Sequence, residues 1–165
     1  MEKVSTKHFS NIDLTNLEEW YGSKIVINGH TIDISISVSK KYKIDPKNIL
    51  EVDQYVENLK INEENIRRII QQDFKEQGET NSYLDTQIEE QEIEDILTLI
   101  EKIDNELSVK EKLLSILSLL RIVFYPERED KMFAVFDYTI DSNLTDDLLA
   151  VKLYKDKNVS IDIES

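Results

Sequence analysis

The sequence predicts an α+β domain, with strands gathered at the two ends of the chain and helices between them. Three observations carry this expectation. An Asn28-Gly29 pair stands between two β-type runs near the N-terminus, apolar residues recur at three- and four-residue steps from Ile49 to Ile103, and the last third returns to aromatic and β-branched runs. Strands and helices segregated in this way argue for α+β rather than alternating α/β. A length of 165 residues fits one domain, 1–165.

The first element is a hairpin. Lys24-Ile25-Val26-Ile27 precedes Asn28-Gly29, and His30 to Ser39 follows. Asn-Gly is the strongest short-range hairpin signal, because both central residues of a type I′ turn need positive φ. The second run alternates strictly. Ile32, Ile34, Ile36 and Val38 form one face, and Asp33, Ser35, Ser37 and Ser39 the other, so one face is expected to be buried and one wet. His8 to Leu14 supplies a further short strand, and Leu17 to Tyr21 leads into the hairpin.

The middle is expected to hold three to four helices. Asp45-Pro46 is an N-cap followed by proline at the first helical position, ahead of Ile49, Val52, Val56 and Leu59. Asn62 reads as the cap of a second helix with Ile66, Ile69, Ile70 and Phe74 on its apolar stripe and Gly78 near its end. A third helix is expected from about Ser82 to Leu107, with Leu84, Ile88, Ile93, Ile96, Leu97, Ile100 and Ile103 mostly on one side. Ser108 can cap a fourth, Val109 to about Leu120, apolar nearly all round and therefore expected to be buried.

The C-terminal third is expected to be an antiparallel meander: Arg121 to Tyr125, Lys131 to Ile140, Leu148 to Tyr154 and Asn158 to Ile163, joined by the turn chemistry of Asp141-Ser142-Asn143 and Lys155 to Asn158. One sheet containing both the hairpin and the meander is expected, since an isolated hairpin is marginal.

Composition excludes several functions. Lys plus Arg number 20 against 34 Asp plus Glu, a formal charge of −14, which repels nucleic-acid phosphates and speeds encounter with a basic protein. The same acidity also serves solubility alone. There is no cysteine, so disulfides, thiolate catalysis and Cys-based zinc sites are ruled out. The N-terminus lacks the apolar core of a signal peptide, and no apolar run approaches the ~20 residues that span a bilayer. A cytoplasmic protein without membrane contact is the expectation.

Catalytic signatures are missing. His8 and His30 are the only histidines, and neither has a second ligand at metal-binding spacing or a nucleophile with a sequence signature. Three isolated glycines cannot build a phosphate loop, and Asp141, Asp146 and Asp147 lack the spacing of a calcium loop. No catalytic residue, metal or cofactor is therefore expected.

One stretch rises above this background. From Asp85 to Glu106 nine carboxylates stand against one lysine, a net −8 in 22 residues. Like charges at i,i+4, such as Glu90 and Glu94, cost a helix a few tenths of a kcal/mol, so such a face meets solvent or a partner. The candidate partner-binding residues are Glu89, Glu90, Glu92, Glu94 and Asp95, with Asp141, Asp146 and Asp147 in the meander turn. Asp137 is a further acidic point that could extend the surface. Trp20, Tyr21, Tyr42 and Tyr83 are candidate aromatic anchors, each also a candidate for the core.

Two phrases carry a resemblance. HFSNIDL…WYGSKIVINGHTIDISISV (8 to 38) and MFAVFDYTIDSNLTDDLLAVKLYKDKNVSIDIES (132 to 165) resemble a bacterial family of small domains of unknown function, in the "ING" between strands, the aromatic-Asp-Tyr strand, the "TD" turn and the closing Glu-Ser. The resemblance lends no active site. It implies an immunity protein of a bacterial toxin system, neutralising a basic, nuclease-like toxin through acidic surface. The competing readings are a housekeeping or regulatory domain whose acidity is only solubility, an enzyme built from carboxylates and His30, and a DNA mimic.

Overall fold

A computed structural model describes residues 2–165. Its elements, in chain order, are β1 Lys3–Ser5, β2 Asn11–Asp13, β3 Trp20–Ile27, β4 His30–Ser37, α1 Pro46–Glu57, α2 Leu59–Lys75, α3 Glu79–Glu90, α4 Ile93–Ile100, α5 Val109–Ile116, β5 Ser118–Phe124, β6 Met132–Thr139, β7 Leu148–Tyr154 and β8 Val159–Glu164. The α+β class is as expected. The helices number five rather than three to four, and although the Asn28-Gly29 hairpin shares one sheet with the C-terminal strands, a further N-terminal pair stands in a sheet of its own. β1 and β2 pair in a small sheet of their own, and β3 to β8 form a six-stranded sheet in sequence order.

Every neighbouring pair in the large sheet is antiparallel except β4 and β5, which run parallel. A parallel neighbour needs a crossover. All five helices lie within that one crossover, so they cover one face of the sheet and leave the other open.

Local chemistry explains the well-formed elements. Asn28 (φ 50°) and Gly29 (φ 80°) make the type I′ turn between β3 and β4. The Asp45 carboxylate accepts from the Lys47 N–H, with Pro46 opening α1. Ser108 and Glu111 form a reciprocal capping box at α5. At the α2–α3 joint Gln77 takes a positive φ of 58°, and a Cβ on Gly78 would overlap the Asp73 carboxylate, which accepts from the Thr80 N–H at 2.7 Å.

The core lies between the covered face and the helices. Ile32, Ile34 and Ile36 of β4, Ile122 and Phe124 of β5, Phe136 and Tyr138 of β6 and Leu149 and Val151 of β7 are all buried. Val38, just past β4, completes the expected apolar face. Tyr55 of α1 packs edge-on against Phe124, Phe133 and Phe136, and burial pushes its hydroxyl up to about 12.

Four expectations are corrected. Asn62 does not start a helix: α2 begins at Leu59, and the Asn62 side chain donates to the Tyr55 carbonyl, joining α2 to α1. The long third helix is two helices, broken at Gln91-Glu92. The break replaces a continuous column of like charges with Glu94 and Asp95 in the first turn of α4, where the helix dipole favours them. The fourth helix stops at Ile116, and β5 starts at Ser118; of its residues only Leu113 is buried. An apolar run such as Leu117 to Leu120 suits either structure, and pairing with β6 decides it. Ser35, expected wet, is buried, because it sits mid-sheet between Gly22 and Val123 on the open face.

Candidate functional site

The acidic stretch forms an elbow between α3 and α4. Glu89 and Glu90 end α3, Glu92 is the turning residue (φ −61°, ψ 135°), and Glu94 and Asp95 open α4. All five are exposed, and among the described residues none has an ion-pair partner. Glu94 and Asp95 gain from the N-terminal dipole of α4. Glu89 and Glu90 stand at the negative end of α3, where each costs of order 0.3–1 kcal/mol. Folding gains nothing from acids placed there.

Ile96 and Ile100 point inward, but Ile88, Ile93 and Leu97 are turned out, with Ile93 71% and Leu97 51% exposed. Sequence reasoning assigned all five to one helical stripe. The outcome is an apolar patch set among five unpaired carboxylates, the composition of an interface with an apolar centre and a polar rim.

The turn between β6 and β7 is brought to this region only in part. The buried Tyr83 hydroxyl of α3 donates to the Asp147 carbonyl at 3.2 Å and accepts from the Ile140 N–H at 3.3 Å, clamping both ends of the turn. Burial, first of all, raises the Tyr83 pKa. The Asp147 carboxylate accepts from Gln87 at 3.2 Å, one helical turn before Gln91. Asp147 therefore borders the elbow but is engaged in holding the fold. Asp141 accepts from the Asn143 N–H at 2.7 Å and shapes the turn. Asp146 is exposed but lines a separate hollow with Arg121, Leu148 and Glu164, away from the helices.

Asp137 does not extend the surface. It is buried in the middle of β6 on the open face, where its Oδ2 accepts from Arg121 Nε at 2.7 Å and its Oδ1 has no partner among the described residues. Burial, outweighing Arg121, raises its pKa. Of the aromatic candidates Trp20 is half-exposed, Tyr21 and Tyr42 are partly buried, and Tyr83 is core.

The histidines stand apart. His8 Nε2 lies 3.0 Å from Glu57, whose pKa is lowered first by this contact and then by Lys7. His30 borders a cavity of about 370 Å³ that Glu63 and Arg67 also line. Three polar atoms of that pair are engaged in the fold. Glu63 Oε1 accepts from the Tyr138 hydroxyl at 3.1 Å and from Arg67 Nε at 2.6 Å, and Arg67 Nη1 donates to the Leu117 carbonyl at 2.9 Å.

No helix among the described residues is long and apolar enough to cross a membrane. Comparison with protein-family models, with curated proteins and with solved structures found no match.

Proposed function

We propose that the chain is a non-enzymatic binding protein that docks a basic partner protein on the α3–α4 elbow, and that in its cell it neutralises a toxin as an immunity protein. The observation that carries this reading is the outward placement of Ile88, Ile93 and Leu97 among Glu89, Glu90, Glu92, Glu94 and Asp95. The carboxylates supply long-range attraction to a cationic surface, and the three apolar side chains supply area to bury on contact. Acids at the C-terminal end of α3, and exposed isoleucines beside them, work against the isolated fold. Such local costs accumulate where a surface has a task.

The test is binding to the product of the adjacent gene, measured with the wild-type chain and with I93S/L97S. The paired substitution is expected to leave the melting temperature unchanged, since both side chains are exposed, and to weaken binding by about tenfold or more. The association rate is expected to fall as salt rises. An adjacent product that does not bind, or binding indifferent to both salt and the paired substitution, overturns the reading.

A further inference from the structure

We propose that β3 is a self-association edge, through which two copies of the chain join antiparallel about a two-fold axis at Ser23 and continue one sheet across both. β3 is an outer strand of the six-stranded sheet and eight residues long. The type I′ turn makes Ile27 and His30 a hydrogen-bonded pair, and the pattern alternates from there. The Val38 N–H donating to the Glu19 carbonyl at 3.0 Å is in the same phase. The odd-numbered residues of β3 thus bond to β4. Trp20, Gly22, Lys24 and Val26 aim their N–H and C=O groups off the edge, and among the described residues no partner meets them.

Natural edges are guarded by charges, prolines, bulges or covering elements. β3 has no bulge against β4 and no proline. Its one charge, Lys24, is drawn back over the sheet by Asp33 at 3.2 Å. The other outer strand, β8, is better protected: α3 packs against it, and Asp162 and Glu164 would set acids near acids in a self-pair.

The side chains select one register. Pairing about Ser23 sets Trp20 opposite Val26 of the second copy and Gly22 opposite its Lys24, so that all four outward residues are matched. Trp20 and Val26 are the exposed large apolar residues of β3, at 53% and 66%. On the other face Tyr21 meets Ile25, and Ser23 meets itself at the axis. Aromatic and β-branched partners are favourable cross-strand pairs. Sliding two residues one way opposes Lys24 to Lys24, a repulsive pair, and the other way sets Trp20 against Lys24. Both slips leave outward groups unmatched.

Sedimentation velocity of the full chain over a concentration series tests this, in about 0.15 M salt to screen the −14 charge of each copy. The chain contains one tryptophan, Trp20, so its fluorescence reads the interface directly. The expected result is a monomer–dimer equilibrium, with Trp20 emission moving to the blue as dimer forms. K24P removes an N–H that bonds nothing inside the protomer, and V26K changes a side chain already in solvent. Each is expected to keep the wild-type circular dichroism and raise the dimer dissociation constant by about tenfold or more. A monomer at every concentration with constant emission overturns the proposal. So does a dimer that survives both substitutions, or open-ended growth, which would mark head-to-tail pairing of β3 with β8.

Discussion

The two faces of the six-stranded sheet supply a buried carboxylate with different numbers of donors. On the covered face one oxygen of Glu63 takes both the Tyr138 hydroxyl and Arg67 Nε, while the Arg67 guanidinium lies 5.5 Å from the Tyr138 ring centre. On the open face Asp137 has Arg121 on one oxygen and nothing on the other. Both pairs join an arginine to a carboxylate, and at Asp137 burial, outweighing Arg121, raises the pKa. A buried charge is tolerable when donors reach it, and Glu63 draws two, Tyr138 from β6 and Arg67 from its own helix α2, where Asp137 draws Arg121 alone among the described residues. The open face offers a ladder of surface pairs instead, in which Lys24 meets Asp33 and Lys152 meets both Asp162 and Glu164. The covered face is packed by helices; the open one joins charge pairs of small individual worth to a small apolar cluster of Met132, Val135 and Ala150.

The largest expected effect breaks the packed side. Phe136→Ala should cost about 3–5 kcal/mol by urea denaturation, because Phe136 is wholly buried between sheet and helices. Val135→Ala, one residue along on the open face, should cost about 1.5 kcal/mol. Equal losses would mean that the two faces are packed alike.

Glu63→Ala ranks next, at about 2–3 kcal/mol, since it strands the Tyr138 hydroxyl and leaves Arg67 without its carboxylate. A loss below that of Val135→Ala in the same assay would demote the cluster.

Asp137→Asn sharpens the comparison through its sign. A raised pKa means that the folded state binds the proton more tightly than the unfolded chain. Asp137 therefore favours folding at low pH, and that advantage is lost as pH rises from its ordinary 3.8 through the raised folded value. An uncharged amide has no such dependence. The stability of wild type minus D137N, from urea midpoints across the acidic range, should fall as pH rises. At neutral pH the variant should lie within about 1 kcal/mol of wild type. A difference that grows with pH would show instead that Arg121 dominates.

The smallest effect is Lys24→Ala. Its ion pair with Asp33 is exposed on both sides, so unfolding free energy should change by no more than about 0.5 kcal/mol. A larger loss of thermal stability would mean that the open-face ladder acts as a network.

Local signals were legible wherever neighbouring residues settle the conformation. Asn28-Gly29 determined a turn and with it the register of β3 on β4, because few residues tolerate two successive positive φ angles. Asp45-Pro46 and Ser108 with Glu111 determined helix starts, because those side chains satisfy their own helix's N–H groups. The elbow was legible as charge but not as shape. A continuous helix would set Ile93 and Leu97 about 140–180° round from Ile88, so no single inward stripe could hold all three, and all three are exposed.

What the sequence determined by itself was an acidic α+β chain, the Asn28-Gly29 hairpin, the helix caps at Asp45 and Ser108 and the concentration of carboxylates between Asp85 and Glu106. Tertiary structure alone decided the rest. It ended α5 at Ile116 so that Leu117 to Leu120 could join β6, laid β4 beside β5 in parallel, and clamped Asp147 to α3 through Tyr83 and Gln87. The physical reason is range. A cap or a tight turn is satisfied within a few residues, whereas a strand's ladder, a buried carboxylate's donors and a helix's inward face are satisfied by residues up to about a hundred positions away, and only the folded chain brings those together.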